Sequence, residues 1–190
     1  MEDRPISLTV IIGSTREGRF GPTVADWFIR QAALRRDLTL DVIDLADQQL
    51  PAVYPASPDE ATAAYVRRIA HADAFVVITP EYNHGYPASL KQAIDLPHEE
   101  WQAKPVGFVS YGGQAGGLRA VEQLRQVFAE LHAVSARSTV SFHNAWDRFD
   151  EAGQPHDTTG TAAAANSMLD QLAWWALVLR DARTARPYAA

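Results

Sequence analysis

The sequence predicts an α/β fold, a three-layer sandwich built on a five-stranded parallel sheet in the order 2-1-3-4-5. Three observations carry this. Five short, apolar, β-branched runs alternate with segments of helical periodicity, the pattern of strands and crossover helices. Three of the runs are apolar almost without interruption, as parallel strands covered on both faces must be. Turn-forming segments rich in glycine or in polar and aromatic residues follow the first, third and fourth runs, where a doubly wound sheet opens the carboxyl ends of its strands to a ligand.

In chain order, the first strand is LTVIIG (8–13), followed by a helix with Val24, Trp27 and Phe28 on its buried face. The second is LTLDVIDL (38–45), and Val66, Ile69 and Ala70 mark the helix after it. The third is AFVVIT (74–79), followed by Leu90, Ala93 and Ile94 at helical spacing. The fourth is VGFVSY (106–111), before a helix carrying Val121, Leu124, Val127, Phe128 and Leu131. The fifth is VSARSTV (134–140). A last helix near 160–182 bears Met168, Leu172, Trp175 and Leu179 on one stripe. Its neighbour Trp174 points about 100° away and packs at the flank or at a subunit interface. The irregular stretch 142–160 reads as a surface excursion. Five strands favour the flavodoxin-like order over a six-stranded dinucleotide fold. Neither a repeat nor a linker divides the chain, so residues 1–190 read as one domain.

Composition narrows the chemistry. Apolar residues are 47% and charged residues 21%, ordinary for a globular chain. A net charge of −6, from 17 basic and 23 acidic residues, argues against general nucleic-acid binding. The absence of cysteine excludes disulfides, thiolate nucleophiles and cysteine-held metals. The histidines lack paired metal-ligand spacing, so no metal is expected. Apolar runs are strand-sized, and MEDRPISLT lacks the apolar stretch of a signal peptide. The expectation is a cytoplasmic protein without a membrane span.

The first loop, GSTREGRFGPT (13–23), joins a buried strand to a helix. Such a loop presents free backbone N–H groups at the positive end of the helix dipole. Ser14 and Thr15 add hydroxyls, and Arg16 and Arg19 add forked cations suited to phosphate. Gly13, Gly18 and Gly21 let the chain curl, and Pro22 suits a first helical turn. The glycine spacing approaches a P-loop, but Arg19-Phe20 stands where Lys-Ser/Thr is required, which argues against nucleoside triphosphate hydrolysis. Alone, the loop reads as a phosphate-monoester site or as a glycine-rich turn with solvated arginines.

The second loop lies in TPEYNHGYPASLKQAID (79–95). Pro80 stiffens the exit, Asn83 and Gly85 can turn amides toward a ligand, and Tyr82, His84 and Tyr86 offer flat surfaces. The third, SYGGQAGG (110–117), brings side-chain-free backbone at Gly112 and Gly113 to the edge of a flat polar ring. Each is also consistent with an ordinary turn. Together, a phosphate trap and two amide-rich turns at one sheet edge suit a phosphorylated planar cofactor, and flavin mononucleotide (FMN) fits.

GSTREGRFG, PEYNHGYPASLKQAID and SYGG resemble the NADPH-dependent FMN reductases, flavodoxin-like proteins that include quinone, azo-dye and chromate reductases. The resemblance runs from about residue 8 to residue 131. It implies that Ser14, Arg16, Arg19, Phe20, Gly21 and Pro22 enclose the FMN phosphate. It places Pro80, Glu81, Tyr82 and Asn83 against the isoalloxazine and ribityl chain, and Ser110, Tyr111, Gly112 and Gly113 at the ring's pyrimidine side. It implies hydride transfer from NADPH or NADH to FMN, then to a small-molecule electron acceptor, in a ping-pong order with no catalytic side chain. A homodimer or homotetramer is expected by the same analogy. A flavodoxin-type electron carrier, or a flavin reductase supplying reduced FMN to a monooxygenase, would share the fold. His84 reads as a pocket residue or a proton donor. Arg119 reads as a salt-bridge partner or a contact for the NADPH 2′-phosphate. Lys91 and Asp95 read as an i,i+4 pair.

Overall fold

The computed structural model describes residues 4–189; the start of the N-terminal segment read above lies outside them. Six strands and five helices follow in the order β1 (Ile6–Ile12), α1 (Gly21–Ala32), β2 (Leu38–Asp44), α2 (Glu60–His71), β3 (Ala74–Pro80), α3 (Ala88–Asp95), β4 (Pro105–Gly112), α4 (Leu118–Glu130), β5 (Val134–Ser135), β6 (Val140–His143) and α5 (Thr158–Ala185). The sheet order is β2-β1-β3-β4-β5, with β6 also beside β4 and every ladder parallel. This is the predicted flavodoxin-like order.

Strand alternation divides the core between the two faces. Ile6, Leu8, Val10 and Ile12 of β1 and Val76 and Ile78 of β3 pack with Val24, Trp27 and Phe28 of α1 and with α5. Ile11, Phe75, Val77, Val106 and Phe108 pack with α2, α3 and α4 on the other face. Burial on both faces is why β1, β3 and β4 read as continuous apolar runs.

Four expectations change. The fifth strand is broken. The backbone between β5 and β6 leaves the ladder because side chains take its polar groups: Arg125 donates to the carbonyls of Ala136 and Arg137, and Gln171 accepts from the Ser138 amide. On α2 the buried face is Thr62, Tyr65 and Ile69, with Val66 half-buried and Ala70 exposed. Tyr65 can be interior because its hydroxyl donates to the Ala93 carbonyl at 2.9 Å. On α5 the buried face keeps Met168 and Leu172 but continues through Leu169, Ala173 and Ala176 rather than Trp175 and Leu179. Small residues let this helix lie close to the sheet. The indoles of Trp174 and Trp175 pack edge-on to each other outside that face. Finally, the stretch 142–160 is anchored: Phe142, Ala145 and Phe149 are buried, with Phe142 edge-on to Trp27 at 5.1 Å and 4.8 Å from Phe149.

Candidate functional site

The parallel ladders bring the loops after β1, β3 and β4 to one edge of the sheet. The Gly13 amide donates to the Ile78 carbonyl at 2.8 Å, and the Glu81 amide to the Tyr111 carbonyl at 3.1 Å, so each loop starts from a fixed point. Thr15 Oγ1 bonds Ser89 Oγ of α3 at 3.2 Å.

In the first loop the amides of Ser14, Thr15, Arg16, Glu17, Gly18 and Phe20 have no acceptor among the described residues; only Arg19 closes a turn, onto the Arg16 carbonyl. Phe20 is the N-cap of α1 but supplies no side-chain bond, and Pro22 sits in the first turn. The helix N-terminus is therefore uncapped and electropositive. Beneath it Ser14 Oγ is fully buried without a partner, although buried hydroxyls are nearly always paired.

The two arginines separate. Arg19 forks onto Asp44 at the end of β2, with both bonds at 2.7 Å, and donates to the Ser14 carbonyl at 2.8 Å. The bond to Asp44 raises the pKa of an already permanent cation. Arg19 thus ties the loop to the sheet and fixes the Ser14 backbone. Arg16 is exposed and has no ionic partner among the described residues. Phe20 turns its ring inward, 5.5 Å from Phe149 and 6.3 Å from Tyr111; it anchors the loop to the core.

In the second loop, Tyr82 and Gly85 exchange backbone bonds of 2.9 and 3.0 Å, closing a two-residue hairpin. Its central residues are Asn83 (φ 50°) and His84 (φ 74°), so the strained position falls on His84 rather than Gly85. Gln123 of α4 donates to the His84 carbonyl at 2.9 Å and holds the turn. Pro80 is buried at the end of β3. The Glu81 carboxylate, 7% exposed, takes the Arg119 guanidinium and the Arg119 amide in the first turn of α4. Of the two readings of Arg119, the structure realises the salt bridge. Lys91 and Asp95 pair as expected.

The third loop differs most from expectation. Ser110 Oγ donates to the Gly116 carbonyl at 2.8 Å inside the turn. Tyr111 turns away from the open edge into the core beneath α1, where burial pushes its phenol pKa up. Backbone remains for a ligand: the amides of Gly113, Gln114 and Ala115 have no acceptor among the described residues. Gly112 lies against Glu81, and a Cβ on Gly113 would meet Trp146 at 3.8 Å. Trp146, 60% exposed in the turn after β6, is the site feature that sequence reasoning missed. Its signal was an indole in a polar stretch; its nearness to Gly113 depends on the Asn144 amide bonding the Gly113 carbonyl at 2.9 Å.

An uncapped helix N-terminus and two amide-rich turns on a 2-1-3-4-5 sheet match a known arrangement. The model of the NADPH-dependent FMN reductase family matches residues 6–147. The chain belongs to this family. It is 40% identical over 129 residues to an NAD(P)H-dependent FMN reductase of Schizosaccharomyces pombe, covering 63% of this chain and 64% of that relative. It is 30% identical to a quinone reductase of Pseudomonas putida over 89% of this chain and 94% of the relative. In fold it is similar to a flavoenzyme NAD(P)H:acceptor oxidoreductase of Paracoccus denitrificans, with TM-score 0.73, 22% identity and 91% and 98% of the two chains covered. No helix among the described residues is long and apolar enough to cross a membrane, and no cluster of three metal-ligating side chains occurs among them.

Proposed function

We propose that this chain is an FMN-dependent NAD(P)H oxidoreductase acting as one flavin-binding domain. The observation that carries the reading is the buried, unpartnered Ser14 hydroxyl under a row of free amides at the N-terminus of α1. Such a donor set lacks only an anion of phosphate size. Arg16 supplies an exposed, unpaired charge among the described residues; Arg19 holds the Ser14 carbonyl and so the loop's shape. On this reading the Asn83–His84 turn and the free amides of 113–115 would meet the planar ring with backbone rather than side chains, and Trp146 would border the same edge.

FMN, when held there, would supply two-electron redox chemistry between NADPH or NADH and, in a ping-pong order, a small electron acceptor such as a quinone, azo compound, metal ion or free flavin. The chain's part is to bind, orient and tune. The free amides of 113–115 offer stabilisation to negative charge on the ring edge. The Glu81–Arg119 pair keeps a carboxylate from standing free beside that charge. A homodimer or homotetramer accords with the exposed row Trp174, Leu177 and Val178 on α5.

The test is an anaerobic visible spectrum of the FMN-reconstituted protein titrated with NADPH. Bleaching by one equivalent, reversed by a quinone, is expected. Bound flavin that NADPH leaves oxidised would make the chain an electron carrier, and no flavin uptake would defeat the reading of all three loops.

A further inference from the structure

Two hydroxyls, not one, are buried without partners beneath α1: Ser14 Oγ and the Tyr111 phenol. One comes from the loop after β1 and the other from β4, and they converge on one slot. A Cβ built on Gly21 would stand 2.2 Å from Ser14 Oγ and 2.8 Å from the Tyr111 oxygen. The missing side chain at Gly21 is what admits both. Phe20 tilts over the Tyr111 ring, which joins the core on the α1 side of the sheet, so the phenol is not free to leave.

An unpartnered buried hydroxyl is costly, and native folds keep few of them. Two in one slot, under an uncapped helix N-terminus, are explained together if a third group completes them. Each hydroxyl carries one proton and can accept at its oxygen. If Tyr111 donates to Ser14 Oγ, the Ser14 proton is left over and must find an acceptor. The row of free amides above it selects an anion.

We propose that Tyr111 is a positioning residue for phosphate: its phenol donates to Ser14 Oγ and thereby directs the Ser14 hydroxyl proton to a phosphate monoester at the N-terminus of α1. Tyr111 itself does not touch the ligand. The inference rests on the flavin reading above and adds to it a hydrogen-bonded chain running from the fourth strand to the first loop. Such chains strengthen each bond by polarisation. Protons stay on their own oxygens, and no covalent step is involved.

The test compares FMN with riboflavin, which lacks the phosphate, by fluorescence titration of the apoprotein and of its Tyr111→Phe, Ser14→Ala and doubly substituted forms. Tyr111→Phe is expected to weaken FMN binding about five-fold, as for one lost hydrogen bond. Ser14→Ala should weaken it about ten-fold or more, as for a bond to a charged acceptor. The double variant should match Ser14→Ala alone, and riboflavin binding should be the same in all four proteins. Additive losses in the double variant would mean direct contact and overturn the relay. So would an equal loss for riboflavin, which would mark Tyr111 as merely structural. Wild-type protein that takes up no FMN would overturn the flavin reading itself, a distinct result.

Discussion

Arg16→Ala and Arg19→Ala separate the roles of two residues that look equivalent in the sequence. Arg19 makes two 2.7 Å bonds to Asp44 and one to the Ser14 carbonyl, with the two side chains 16% and 19% exposed. Exposed ion pairs contribute about 0–1 kcal/mol and breaking buried ones costs about 3–5 kcal/mol, so a half-buried forked pair sits near 2 kcal/mol, roughly midway. Asp44 keeps the Ala46 amide at 3.0 Å, which limits the cost of orphaning it. For a chain of this size, about 2–4 °C per kcal/mol converts this to a fall of about 4–8 °C in the apoprotein's thermal midpoint. Removing Asp44 as well should recover part of the fall. Arg16 is exposed without an ionic partner among the described residues, so Arg16→Ala should move apoprotein stability by no more than about 0.5 kcal/mol. It should weaken FMN binding about ten-fold or more, the value of one charge-assisted bond. Thermal melts of the two apoproteins and FMN titrations decide the matter. An unmoved midpoint in Arg19→Ala, or a several-degree fall in Arg16→Ala, would refute the division.

Other expectations follow from the same geometry. Trp146→Ala, at an exposed indole beside Gly113, should leave the apoprotein melt nearly unchanged but raise KM for quinone several-fold, on the order of one lost stacking contact of about 1 kcal/mol; an unchanged KM for both quinone and NADPH would remove it from the site. Gly117→Ala places a Cβ 2.7 Å from Ser110 Cβ at φ +84°, and urea titration should show a loss of about 3 kcal/mol from overpacking and left-handed strain together; wild-type stability would contradict the loop geometry. Lys104 is buried, its ammonium on the Ile69 and Ala70 carbonyls at the end of α2, and burial, reinforced by Arg183, lowers its pKa to about 8 from 10.5. Because the folded pKa lies below the unfolded one, the contribution to stability rises as pH climbs from about 8 toward 10.5. Between pH 8 and pH 10 wild-type protein should therefore gain up to about 2.5 kcal/mol of stability relative to Lys104→Met; parallel pH profiles would show that Lys104 is not responsible. Measurement below pH 10 avoids the opposing ionisation of Tyr65 and Tyr111, whose pKa values burial raises.

What the sequence determined by itself is the sheet, the strand order and the identity of the three loops. These follow from one-dimensional signals: apolar runs over β1, β3 and β4, helical spacing between them, and turn residues at the strand ends. The family was legible in the same way, because its motif residues are contiguous in the chain. Side-chain roles within the loops were not. Arg19 could be placed on Asp44, Arg119 on Glu81 and the Tyr111 phenol beside Ser14 only by the fold, since each pair joins residues at least 25 positions apart. The same holds for the broken fifth strand, interrupted by Arg125 from α4 and Gln171 from α5, and for Trp146, brought to Gly113 by a single backbone bond. Periodicity reports which way a residue faces within its own element. Which partner it meets there depends on how elements distant in the chain are packed, and that is decided only when the tertiary structure closes.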